Sequence, residues 1–416
     1  MKHLLYLVFV LAFYAPTLGQ TYEVVPPKNI KTIIFKSAAG EFSGTPIIRL
    51  GQRLQLEFDD LNASETDYYY EIKHYNYDWT PSTLAQNEYL TGFDDVRIFN
   101  FQNSLSTFQP YTNYKLDIPN QNTRAITKTG NYMLIIKDVN DSVIFSRKFI
   151  VYSSDVDVKT TIREDRRLDK TESHQVVNFE IGRKGYIFRN PNETVNVAVI
   201  QNNDISTGIF NLKPQYTTGN TLIYRYNEKS SFKGGNEFLN FDTKDVRAGT
   251  SQIRSIELSD IYESFLFTDF DRSNSVYTFN PDINGNFKIN TIQGNDISRE
   301  ADYTRVHFKL QTPQNLKDGE VHIYGQFNNY MLTDDTMMTY NSRTNLYEGS
   351  LELKQGFYNY KYVYFTNEGE FINNIASGNF AQTENLYTVI VYYRPIGGRF
   401  DEVIGMSNII SRNIKN

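Results

Sequence analysis

Residues able to do acid–base, nucleophilic or metal chemistry are few in this chain and poorly spaced for it. Five histidines (His3, His74, His174, His307, His322) are scattered over 416 residues, and there is no cysteine. That removes disulfides, thiolate nucleophiles and cysteine zinc sites together. His307 and His322 both fall in strand-like segments and could approach each other on a sheet. Two imidazoles without a defined carboxylate or thiolate partner do not make a metal site. Asn280-Pro281-Asp282-Ile283-Asn284-Gly285 imitates the start of an EF-hand loop, with oxygen ligands at alternate positions before a turn glycine. Thr291 stands where the bidentate Glu belongs, so a hairpin turn at Asn284-Gly285, between 277–279 and 287–289, is the better reading. The acidic pairs Asp59-Asp60 and Asp94-Asp95 read as solvated, or as acceptors of local backbone N–H groups. No nucleophile elbow, phosphate-binding loop or dinucleotide fingerprint occurs. No catalytic residue, metal site or cofactor is assigned, and an enzyme is not expected.

The elements that would carry any site are strands. Leu54-Gln55-Leu56-Glu57-Phe58 alternates with period 2, and the same style recurs at 69–75, 132–136, 144–152, 175–179, 195–201, 303–310, 347–353, 358–365 and 387–393. Turn clusters such as Asn120-Gln121-Asn122 and Asn140-Asp141-Ser142 separate them. Short strands between turns predict β-sandwiches, and at roughly 150 residues per domain the chain holds two or three. Aromatics reach 15% of the chain, 31 Tyr, 29 Phe and one Trp, which either strand content or A/T-rich codon usage explains, with a sugar-stacking surface as a third reading. The formal charge of −6 has the wrong sign for a nucleic-acid-binding face, so no nucleic-acid partner is expected.

Met1-Lys2-His3 precedes an apolar run to Ala15 and the small residues Thr17 and Gly19, the pattern of a secretory signal peptide at 1–19 with the mature chain starting at Gln20. The run is shorter than the about 20 residues that span a bilayer, so no direct membrane insertion is expected and any membrane association comes through a protein partner. The expected organisation is a β-sandwich over 20–152, a second over 153–300 that opens with a charged linker, a third over 301–395, and a tail over 396–416. Hinges are expected at 153–170 and 296–302. The tail is expected to dock by its apolar residues Val403, Ile404, Ile409, Ile410 and Ile414.

Two resemblances add to this reading. Residues 321–330, with 351–362, resemble the immunoglobulin-like glycogen-binding modules, which stack glucose on two Trp and hold hydroxyls with a Lys and an Asn. The matching positions here are Tyr330, Lys361, Phe371 and Asn385, so both Trp positions carry other aromatics. This match implies an immunoglobulin-like β-sandwich for 301–395 and a glycan ligand. Joined to the strand pattern of the rest, the expected fold is all-β, three tandem immunoglobulin-like β-sandwich domains.

The second resemblance spans the whole mature chain. It rests on Phe58-Asp59-Asp60-Leu61, the aromatic run 68–79 ending in Asp78-Trp79, Glu88-Tyr89-Leu90-Thr91-Gly92-Phe93 and Pro110-Tyr111-Thr112-Asn113-Tyr114. It continues through Gly234-Gly235-Asn236-Glu237-Phe238, Phe241-Asp242-Thr243-Lys244, Asp282-Ile283-Asn284-Gly285 and Tyr392-Tyr393-Arg394-Pro395-Ile396-Gly397-Gly398-Arg399-Phe400-Asp401. Taken in order, these stretches resemble the plug proteins of the type IX secretion system. The resemblance implies a periplasmic, non-enzymatic protein, peripherally associated with the outer membrane through that system's very large β-barrel translocon. It would seal the periplasmic end of the pore. No small-molecule ligand is expected. The alternative is a periplasmic or surface glycan-binding protein using Tyr330, Lys361, Phe371 and Asn385.

Overall fold

The computed structural model describes residues 22–412 except 184, 186, 314, 315 and 317. The expected leader and its cleavage point before Gln20 lie outside the described residues, as does Ile414 of the expected tail. The fold is all-β, as the period-2 pattern requires. Among the described residues, α-helix amounts to three four-residue turns, Gln86–Tyr89, Pro191–Thr194 and Ile297–Glu300.

The first core lies between two sheets. One runs Ile30–Ser37, Leu54–Asp60, Thr112–Ile118, Asn100–Asn103; the other runs Ile47–Arg49, Val143–Tyr152, Gly130–Lys137, Tyr69–Tyr75, Val96–Arg97. Alternate residues from each, such as Leu54, Leu56, Phe58, Leu134, Ile136, Phe145 and Phe149, make one buried cluster. The second core lies between a sheet built on Val156–Glu164 and His174–Arg183 and a sheet ordered Asp204–Leu212, Val195–Gln201, Leu386–Tyr393, Glu402–Ile410. The third is enclosed by a single eleven-stranded sheet that curls around Phe241, Phe308, Ile323, Tyr358 and Tyr360.

Three cores therefore exist, but not in tandem. The chain leaves the second core after Ser231–Lys233, builds the third, and returns to finish the second: Val195–Gln201 pairs along its whole length with Leu386–Tyr393. This corrects the expected boundaries at 300 and 395. The segment expected as a tail contains the strand Glu402–Ile410, which buries Val403 and Ile404. The expected hinges are also occupied by structure. Residues 156–164 are a strand, and 296–302 is clamped to the first core, with Tyr111 Oη donating to the Ala301 carbonyl at 2.9 Å and Leu105 N donating to the Arg299 carbonyl at 2.9 Å. Alternation says which residues face a core; it does not say which strands are neighbours, and here the decisive pairings span nearly two hundred residues.

The turn at Asn284-Gly285 forms, with φ of 53° and 81°, but it makes no hairpin. The strand after it, Phe287–Ile289, pairs with Gly356–Thr366 instead of with 277–279. The first and second cores join by packing outer sheet faces: Tyr75, Trp79, Met133 and Ile150 against Ala198, Ile200, Ile390, Tyr392 and Val403. The single Trp is spent there, 1% exposed, under the Lys148 ammonium at 4.5 Å.

Candidate functional site

The four residues matched to a sugar site do converge, and they do so inside a joint between the second and third cores. Tyr330 lies just after the strand Gly319–Tyr324 and is 8% exposed; its hydroxyl donates to the Asn202 carbonyl at 3.2 Å. Its ring and that of the half-buried Phe371 both lean on Tyr324, at centroid distances of 5.0 and 5.6 Å. Lys361 holds its ammonium over Phe238 and Tyr324, at 5.0 and 5.6 Å. Asn385 is buried, donating to the Gly234 carbonyl at 2.8 Å and accepting from Asn202 Nδ2 at 2.8 Å. The hydrogen-bonding atoms of Tyr330 and Asn385 are thus used by protein.

The charges at this joint are unusual for their burial. Burial pulls Lys361 down to about 8, against the upward pull of Asp204 and Asp282. Burial pushes Asp282 up to about 7, although its carboxylate accepts from the backbone N–H groups of Asn284 and Phe238. Asp204 is raised by burial too, while accepting from Tyr324 Oη at 2.8 Å. The turn glycine is demanded twice over, by its left-handed φ of 81° and by space: a Cβ on Gly285 would stand 2.5 Å from Tyr330 Oη. The EF-hand imitation is therefore a backbone device that seats Tyr330.

A second joint pins the first core to the third. Asp59, expected to be solvated or to accept local backbone N–H groups, is fully buried and lies in the strand Leu54–Asp60. Its carboxylate accepts from Lys354 Nζ at 2.8 Å, Tyr303 Oη at 2.7 Å and Asn113 Nδ2 at 2.8 Å. Lys354 also donates to the Ser298 carbonyl at 2.9 Å and rests 3.9 Å over the Tyr111 ring. Asp60 is buried as well and accepts from Asn29, Tyr68 and the Asn62 amide, the last being the local bond the sequence suggested. Tyr392 Oη donating to Asn131 Oδ1 at 2.9 Å does the same work between the second and first cores. Among the largest fully buried side chains, all but Trp79 are tyrosines, so the aromatic surplus is mostly interior.

His307 and His322 do not meet. His307 bonds Glu263 at 2.6 Å and stacks on Phe265, whereas His322 bonds Thr336 at 2.9 Å on a strand separated from it by two others in the sheet order. Among the described residues no cluster of His, Asp and Glu could hold a metal ion. The residue that the sequence reading passed over is Arg147. It stands between Phe145 and Phe149 on the core-facing side of Val143–Tyr152, a charge where the alternation demands an apolar side chain, and it is 6% exposed. That break in pattern was visible in the sequence.

Comparison with known proteins gives three results. The family model described as type 9 secretion system plug protein, 1st domain, matches residues 30–153, which is the first core. No curated protein matches the chain. A solved structure, that of a hypothetical protein from Parabacteroides merdae ATCC 43184, is 32% identical, superposes with a TM-score of 0.89, and is matched over 94% of this chain and 100% of its own. A collagen adhesin from S. aureus is 9% identical with a TM-score of 0.12.

Proposed function

Since the chain belongs to the type 9 secretion system plug protein family, we propose that it is a non-enzymatic plug that seals the periplasmic end of that system's large outer-membrane β-barrel translocon. The observation that carries the reading is the family match over the first core combined with the way the other two cores are fixed to it. A body that closes a wide aqueous pore must keep its shape under load. Flexible linkers between sandwiches would defeat that; buried cross-core bonds from Tyr303, Lys354, Tyr111 and Tyr392 support it. Reversible seating also favours a broad polar contact over a greasy anchor. Among the described residues no helix is long and apolar enough to cross a membrane. On this reading the protein works in the periplasm, held at the outer membrane by the translocon.

Affinity purification of the tagged chain from native membranes tests the partner. Recovery of a very large outer-membrane barrel is expected. Recovery without any barrel, together with retention on an oligosaccharide column, would replace the plug by the glycan binder.

A further inference from the structure

The cleft between the first and third cores has a volume of about 260 Å3 and is walled by Ile33, Phe327, Met331, Leu351 and Tyr358. That exceeds the about 150 Å3 of a dry cavity that accepts a benzene ring, and approaches the lower end of small-ligand pockets at about 300 Å3. One wall is Arg147. Its guanidinium donates to the neighbouring Ser146 carbonyl at 2.8 Å and lies 5.4 Å from the Phe145 ring, and among the described residues no carboxylate stands within ion-pair distance of it. A guanidinium remains charged in a protein and carries five N–H donors in a planar fork that suits a carboxylate. With one carbonyl as its acceptor in the protein, most of its donor capacity is left for water or a ligand.

Other charged side chains also line the cleft, namely Lys28, Lys31, Asp334, Asp335 and Glu352. Lys28 and Lys31 each meet Asp335 at 3.4 Å, and Glu352 feels Lys31. Glu23, the acid nearest in effect to Arg147, spends its two oxygens on the Lys148 amide at 2.7 Å and Asn329 Nδ2 at 2.9 Å. Beside the cleft, Arg147 also lines a second void of about 10 Å3 with Gln326 and Ser43, room for about one water. Arg147 is therefore the buried cation of the cleft, beside the apolar side chains Ile33, Phe327 and Leu351.

We propose that this cleft binds a small apolar carboxylate, whose oxygens accept from the Arg147 guanidinium while its hydrocarbon body fills the space against Phe327, Met331, Leu351 and Tyr358. Two sources share that chemistry: a free fatty acid and the C-terminal residue of an apolar peptide. The inference is independent of the plug reading, because it concerns a cleft walled by this chain alone.

The test is calorimetry on the full chain with octanoate, octanol and acetyl-Ala-Leu. Saturable binding of octanoate or of the dipeptide is expected, with octanol about tenfold weaker or worse, because it cannot replace a charge-assisted hydrogen bond. Whichever carboxylate binds more tightly identifies the source. Arg147→Met should weaken the carboxylate by about tenfold while leaving octanol unchanged. Should that variant fail to fold, the octanoate-to-octanol ratio on the unaltered chain decides alone. No saturable binding at millimolar concentration, equal binding of octanol and octanoate, or an undiminished carboxylate affinity in Arg147→Met would each overturn the proposal.

Discussion

Asp59 and Lys354 put the cost of this architecture on two atoms. Both are essentially inaccessible, 0% and 2% exposed, and each is the other's counter-charge across two cores. Asp59→Ala or Lys354→Met should therefore each cost about 3–5 kcal/mol in urea unfolding, since each strands a buried charge. The double variant should cost clearly less than the sum, because neither charge then remains; strictly additive losses would refute the coupling. Two other buried groups set the pH response. Burial holds His74 down at about 4 from an ordinary 6.5, so the unfolded chain binds more protons between those values and this contribution to stability rises with pH across that window. It is full above pH 6.5, is lost on acidification, and amounts to no more than about 3 kcal/mol. Asp282, raised to about 7 from 3.8, acts in the opposite sense: the folded chain holds the extra proton, and the contribution falls as pH rises through that interval. The two partly cancel. His74→Gln should make stability fall more steeply from about pH 4 to 7, and Asp282→Asn should make it climb. Unfolding midpoints measured across that range check both signs, and an unchanged slope in either variant would contradict the assignment.

Among the elements, the edge strand Glu402–Ile410 is the most informative. It pairs with Leu386–Tyr393, buries Val403 and Ile404, and sets Gly405 so close to Val156 that a Cβ there would collide. Ending the chain at residue 395 should lower the melting temperature sharply, and Ile404→Ala alone should cost about 2–5 kcal/mol. Limited proteolysis should cut the turn between Val156–Glu164 and His174–Arg183, where Leu168 is 98% exposed, and spare 296–302. Cleavage first at 296–302 would mean that the clamp by Tyr111 and Leu105 does not hold in solution. The strand Tyr69–Tyr75 and the strand Val195–Gln201 were legible to the residue, because alternation is a local signal. The insertion of the third core into the second was not, because partner choice lies in contacts distant along the chain. The convergence of Tyr330, Lys361 and Phe371 on one spot was likewise readable from the glycogen-module match. Their direction was not: that depends on Asn202, Asp204 and Phe238, which arrive from elsewhere in the sequence.

At the scale of the whole molecule, three cores wedged together by outer-face packing and buried tyrosine bonds make one body, and the plug reading needs one body. The plug resemblance also implies a lateral gate in the translocon that a shuttle partner engages. The most direct measurement is therefore permeability in a strain lacking both this chain and that partner, in which other ways of closing the pore are removed. Sensitivity to a large antibiotic that the outer membrane normally excludes is read beside the amount of protein exported by the otherwise intact parent lacking only this chain. A plug predicts entry of the antibiotic, restored exclusion on complementation, and continued export in the single deletion, because sealing involves no chemistry on the cargo. Normal exclusion in the double deletion, with translocon levels unchanged and export abolished in the single, would contradict the plug and leave an assembly scaffold in its place.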